Sequence, residues 1–98
     1  MKPDAEVWCT LGFALLHRDF DEAKRCFQKA LDLEPANPRA LYNLACTYSI
    51  AGDVEKSLEF LRKTIAVDPD PAHLKKQMAE DHDFDSIRND PRFQVLIK

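Results

Sequence analysis

The side chains with the most obvious chemistry lie in the string Glu80-Asp81-His82-Asp83-Phe84-Asp85. Asp81, Asp83 and Asp85 alternate as the opening carboxylates of a calcium loop do. Such a loop also needs glycine at its sixth position and a bidentate glutamate at its twelfth. Ser86 and Arg92 stand there instead, so the string reads as a solvated loop with carboxylate caps, and no metal is expected. Cys9 and His17 fall on one helical segment, two turns or about 12 Å apart, too far for a thiol to pass its proton to an imidazole. Whether folding brings Cys9 or Cys46 to a histidine from elsewhere is left open at this level. The chain has no CxxC zinc pair, no phosphate-cradling glycine loop and no serine elbow. The expectation is therefore neither an enzyme nor a cofactor-bearing protein.

Composition narrows the partners. The 98 residues are 45% hydrophobic and 32% charged, too apolar for a disordered tail, and their length suits one domain of regular, tightly packed elements. The formal charge of −3 argues against a nucleic-acid surface, which carries a basic excess, and no basic run exceeds two residues, as at Lys75-Lys76. The longest apolar run, Phe13-Ala14-Leu15-Leu16, is far too short to span a membrane. The start, Met1-Lys2-Pro3-Asp4, lacks the apolar core of a secretory signal, and Asp4 and Glu6 do not suit a transit peptide. Cys9, Cys26 and Cys46 are odd in number and spread through helical pattern, which fits reduced thiols in the cytoplasm better than a disulfide framework.

These side chains are positioned by an internal repeat. Ala23-Lys24-Arg25-Cys26-Phe27 aligns with Ser57-Leu58-Glu59-Phe60-Leu61 at an offset of 34, which persists from Ala30 to Thr64 and from Pro35 to Pro69. Trp8, Leu11, Gly12 and Leu15 align with Leu41, Leu44, Ala45 and Tyr48 at an offset of 33, so the first copy has lost one residue, opposite Gly52. Each of those quartets follows the i, i+3, i+4, i+7 stripe of a helix buried along one face. The second halves show similar stripes at Ala23, Phe27, Ala30 and Leu31, and at Leu58, Leu61 and Ile65. The joints carry start and stop chemistry. Asn37-Pro38, Asp70-Pro71 and Asp90-Pro91 place an acceptor at the N-cap and proline in the first turn, Asp19 with Glu22 is a capping-box variant, and Gly52 is a left-handed C-cap. The spacing predicts helices over about 4–17, 20–33, 38–51, 54–67 and 71–80, with short turns near 85–89 and 91–97.

Trp8, Leu11, Gly12, Ala23, Phe27, Ala30 and Pro35, with Leu15 in place of a tyrosine, resemble the tetratricopeptide repeat. The second copy has Leu41, Ala45, Ser57 and Leu61 at four of those positions and keeps Tyr48 and Pro69. The resemblance covers residues 5–71, about two-thirds of the chain. It implies an all-α fold: a right-handed α-solenoid of antiparallel helix hairpins, about five helices with a short C-terminal helical cap. Repeat one spans 5–37 and repeat two 38–71. Residues 72–98 form a degenerate third helix and terminal segment, the whole making a single domain over 1–98. A solenoid must cover its last apolar face. Phe84, Ile87, Phe93, Leu96 and Ile97 are assigned to that role, as in the segments that follow such arrays in many bacterial proteins, which makes the domain look complete rather than cut from a longer array.

The resemblance further implies a concave groove lined by the first helix of each pair, which receives a peptide or a partner's helix. The corresponding positions are Glu6, Cys9, Thr10, Phe13, Leu16 and His17 in the first copy, and Arg39, Tyr42, Asn43, Cys46, Ser49 and Ile50 in the second. The third supplies His73, Lys76, Gln77 and Glu80. None belongs to a packing stripe, and an exposed strip of Phe13, Leu16, Tyr42 and Ile50 suggests a contact site. Two alternatives remain open here: these side chains cover the terminal segment, or they meet a second copy in a homo-oligomer. Asn43 stands where many family members bond a ligand's backbone, and Arg39 one turn earlier suits a carboxylate. Of the five residues with which some members clamp the terminal carboxylate of heat-shock chaperones, only Asn43 is present. The expected partner is thus a protein or peptide, with no nucleic acid and no membrane.

Overall fold

A computed structural model of the chain describes residues 4–98, so the expected domain start at 1–3 lies outside the described residues. Six helices follow one another: α1 (Ala5–Leu15), α2 (Phe20–Leu33), α3 (Pro38–Ile50), α4 (Val54–Val67), α5 (Pro71–Glu80) and α6 (Pro91–Leu96). A 3-10 turn, His82–Phe84, which the sequence pattern does not indicate, separates α5 from α6. The described residues contain no strand.

Every helix opens on a capping carboxylate or amide, at α2, α3, α5 and α6 the one that the sequence pattern names. Asp4, Asp19, Asn37, Asp53 and Asp70 each accept from the backbone N–H three residues on, at 2.9–3.2 Å. Asp90 accepts from the N–H of Arg92 at 2.9 Å. Each bond satisfies one donor that a helix start otherwise leaves open. Gly52 has φ +83°, the left-handed geometry that ends α3 and lets the Asp53 N–H reach the Tyr48 carbonyl at 2.9 Å. The first copy lacks that residue and turns differently. Leu16 stays right-handed, and the N–H groups of Arg18 and Asp19 both donate to the Leu15 carbonyl at 2.9 Å. As a result α1 ends at Leu15 rather than 17, and Leu16 and His17 belong to a turn, not to a helix face.

Helices α1 and α2 form one hairpin and α3 and α4 the next, stacked through α2 on α3 and α1 on α3. The molecule measures 43 × 29 × 19 Å, and its least dimension is about two helix diameters, as two layers of helices require. One core runs through both hairpins: Ala23, Phe27, Leu44, Ala45, Leu58 and Leu61 continue into Leu74, Met78, Phe84, Ile87 and Phe93. The terminal segment therefore buries its aromatic and aliphatic side chains as expected, with Leu96 and Ile97 packed at the margin. Against expectation, Leu11 is 45% exposed and Trp8 only partly buried. Alpha-1 packs on α2 and α3 through Ala5, Cys9 and Gly12, and Leu11 is left at the edge of that face.

Candidate partner-binding groove

Helices α1, α3 and α5 flank a pocket of about 370 Å³, near the lower end of the range for ligand clefts. Phe13 lines it from α1, Arg39, Tyr42, Asn43 and Cys46 from α3, and Leu74 and Gln77 from α5. Asp68 contributes from the α4–α5 link, Asp81 and Asp83 from the segment after α5. Phe13 is 59% exposed, while Asn43 is almost wholly buried, 7% exposed.

The terminal segment folds back onto α3 and occupies the other end of this face. The Tyr42 hydroxyl donates to Asp81 Oδ2 at 2.6 Å, and its ring meets Phe84 edge-on at a centroid distance of 5.6 Å. The Ser86 hydroxyl donates to the Ser49 carbonyl at 2.7 Å. His17 Nε2 lies 3.2 Å from Asp83 Oδ1. Arg88 ties the return together, with its guanidinium donating to the Ala79 and Asp81 carbonyls and to Asp85.

This arrangement corrects the expected exposed strip. Phe13 and Ile50 are exposed, but Leu16 is buried in the core and Tyr42 is partly buried. Cys46 and Ser49 are buried beneath the returning segment, and Cys9 is sealed among Ala5, Ala30 and Ala40. Cover by the terminal segment, one of the open alternatives, accounts for Tyr42 and Ser49. Ile50 lines a second, smaller cavity with Leu16 and His17 at the α1–α2 turn. Among the remaining positions, Glu6 accepts from Arg39 at 2.7 Å and from the Asn37 amide at 3.3 Å, so Arg39 is already paired. The Thr10 hydroxyl donates to the Glu6 carbonyl at 2.9 Å. His73, Lys76 and Glu80 are exposed and outside the pocket, and only Gln77 of the third set lines it.

Three carboxylates of the pocket have no counterpart in the periodicity argument. Asp68 lies in a link and Asp81 and Asp83 after a helix, where no 3.6-residue stripe applies; the acidic string was a signal for Asp81 and Asp83, and Asp68 had none. Cys46 Sγ and one oxygen each of Asp81 and Asp83 lie within 4.8 Å of one another. Burial, with the two nearby carboxylates, pushes the Cys46 thiol far above its ordinary range, so it stays protonated and is a poor nucleophile. Burial and Asp81 also raise the Asp83 carboxyl above its ordinary value.

Antiparallel helix hairpins stacked one on the next define a helical-repeat protein. The family model described as tetratricopeptide repeat matches residues 14–80, and the chain belongs to that family. Repeats of this family serve as general, non-catalytic protein-interaction modules. The chain is similar to mouse sperm-associated antigen 1, with 38% identity over 53 residues, 54% of this chain and 6% of the relative. It also resembles the human antiviral innate immune response effector IFIT1, with 31% identity over 85 residues, 76% of this chain and 18% of the relative. A third relative is the mouse protein O-mannosyl-transferase TMTC3, with 27% identity over 62 residues, 63% of this chain and 7% of the relative. The chain thus spans less than a fifth of the length of each of these relatives. No helix among the described residues is long and apolar enough to cross a membrane.

Proposed function

We propose that this chain holds a segment of a partner protein, extended or helical, in the groove of α1, α3 and α5. The observation that supports it is the pocket itself: an exposed Phe13 lines it together with Asn43, Arg39 and Tyr42, an apolar anchor beside polar groups. Residues 1–98 act as one unit in this reading, with repeats over 5–37 and 38–71 and a closing segment over 72–98. The chain performs no catalysis of its own and works in the cytoplasm, where Cys9, Cys26 and Cys46 persist as the free, buried thiols they are here.

Affinity capture from a lysate tests the reading, comparing the native chain with Phe13→Ser and Asn43→Ala. Both side chains line the pocket, and Phe13 contributes little to the core, so partners should be lost while thermal stability holds for Phe13→Ser. Unchanged capture by both variants places the site elsewhere. Self-association is a second reading, favoured by the exposure of Val7, Leu11 and Phe13 on α1. A monomer across the micromolar range in sedimentation retires it.

A further inference from the structure

The charges around the pocket are unequal. Asp68, Asp81 and Asp83 line it, all partly buried, against a single basic lining residue, Arg39. Arg39 already has a carboxylate partner, with its guanidinium 2.7 Å from Glu6. Among the described residues no cationic side chain lies within ion-pair distance of Asp68 or Asp81, and Asp83 has only the exposed His17. The hydrogen bonds these carboxylates accept are neutral ones: Asp68 from the Asp70 N–H at 2.7 Å, Asp81 from Tyr42 and from the Asp83 N–H at 2.9 Å. Such bonds orient a carboxylate without cancelling its charge, and three anionic groups converging on a partly desolvated cleft create a potential that favours a cation. Phe13 adds an exposed aromatic face at the same mouth.

From this juxtaposition we infer that the groove selects a partner segment carrying lysine or arginine next to an apolar side chain. The inference rests on the groove reading above and adds the chemistry of the occupant. The apolar side chain packs on Phe13, and the cationic head reaches the carboxylates of Asp68 and Asp83. An acidic segment is repelled by the same groups.

A phage-displayed library of random dodecapeptides, panned on the native chain, tests the selection. The expected result is enrichment of Lys and Arg beside aliphatic or aromatic residues. A selected peptide should bind Asp68→Asn/Asp83→Asn roughly tenfold more weakly, the sum of two partly screened ion pairs. An Asp21→Asn/Asp32→Asn control makes the same change in net charge on α2, away from the pocket, and should bind normally. Dissociation constants should also rise with ionic strength. Selected peptides that are acidic or uncharged, or that bind the pocket double variant as well as the native chain, overturn the charge inference while leaving the groove reading standing. Failure to select any peptide whose binding depends on Phe13 or Asn43 overturns the groove reading itself. Should the double variant lose its helical circular dichroism, the salt dependence of the native chain decides, and a flat profile overturns the inference.

Discussion

The two hairpins solve the same packing problem with different side chains. In the first, Gly12 of α1 faces Phe27 of α2, and a Cβ built on Gly12 falls 2.7 Å from the Phe27 ring. In the second, Ala45 stands at the aligned place on α3, and the residue of α4 aligned with Phe27 is the smaller Leu61, buried in the same core. The second hairpin also gains a bond that the first lacks: the Ser57 hydroxyl donates to the Ala45 carbonyl at 2.8 Å, where the first has Ala23. A close helix crossing thus needs a small residue on one side only to the extent that its partner is large. Glycine with phenylalanine and alanine with leucine are two settlements of one volume constraint.

The comparison can be broken most sharply at Phe27, which is fully buried. Phe27→Ala should cost about 3–5 kcal/mol, and Leu61→Ala about 2–5 kcal/mol, in urea unfolding. Equal losses would mean that the aromatic ring is no more central to its hairpin than the leucine is. Next in size, Gly12→Ala should lose about 1–3 kcal/mol by overpacking, although alanine is the better helix former. Adding Phe27→Leu to it imitates the second hairpin, and the double variant should lose less than the two single losses added together. Additive losses would show that Gly12 and Phe27 do not share the constraint.

Ser57→Ala should cost about 1 kcal/mol, the ordinary value for one intramolecular hydrogen bond, and a neutral result would leave volume alone to distinguish the hairpins. The smallest effect concerns the second hairpin's face toward the terminal segment. Burial and Asp81 raise the Asp83 carboxyl in the folded chain, so the folded state holds that proton more tightly than the unfolded state does. The resulting stability is full below the unfolded pKa and is lost as pH rises through the folded one. Asp83→Asn, neutral throughout, should therefore melt slightly above the native chain at neutral pH, with the gap closing on acidification. A gap that widens in acid would show that the ion pair with His17 outweighs desolvation.

Much of this molecule was legible before folding. The helix starts follow from side chains that can cap, the stripes from the periodicity of burial, and the two copies from their offsets. The sealing role of Phe84, Ile87 and Phe93 followed from the need to cover a last apolar face. The candidate groove was legible only in part. Phe13, Arg39, Tyr42, Asn43, Cys46 and Gln77, which the resemblance to the tetratricopeptide repeat assigned to a groove, line a pocket here. Leu16 does not, because a one-residue deletion puts it in a turn, and the exposure of Tyr42 and Ser49 depended on where residues 81–88 come to rest.

The amino-acid sequence by itself determined the local elements and their pairing, since capping, periodicity and volume act over a few residues or between aligned positions. Only the tertiary structure decided which part of the concave face stays open and that Asp68, Asp81 and Asp83 gather there. Those residues sit in links, where no periodic rule assigns a direction, and they meet because the chain's return over α3 costs less than leaving Phe84 and Ile87 in water.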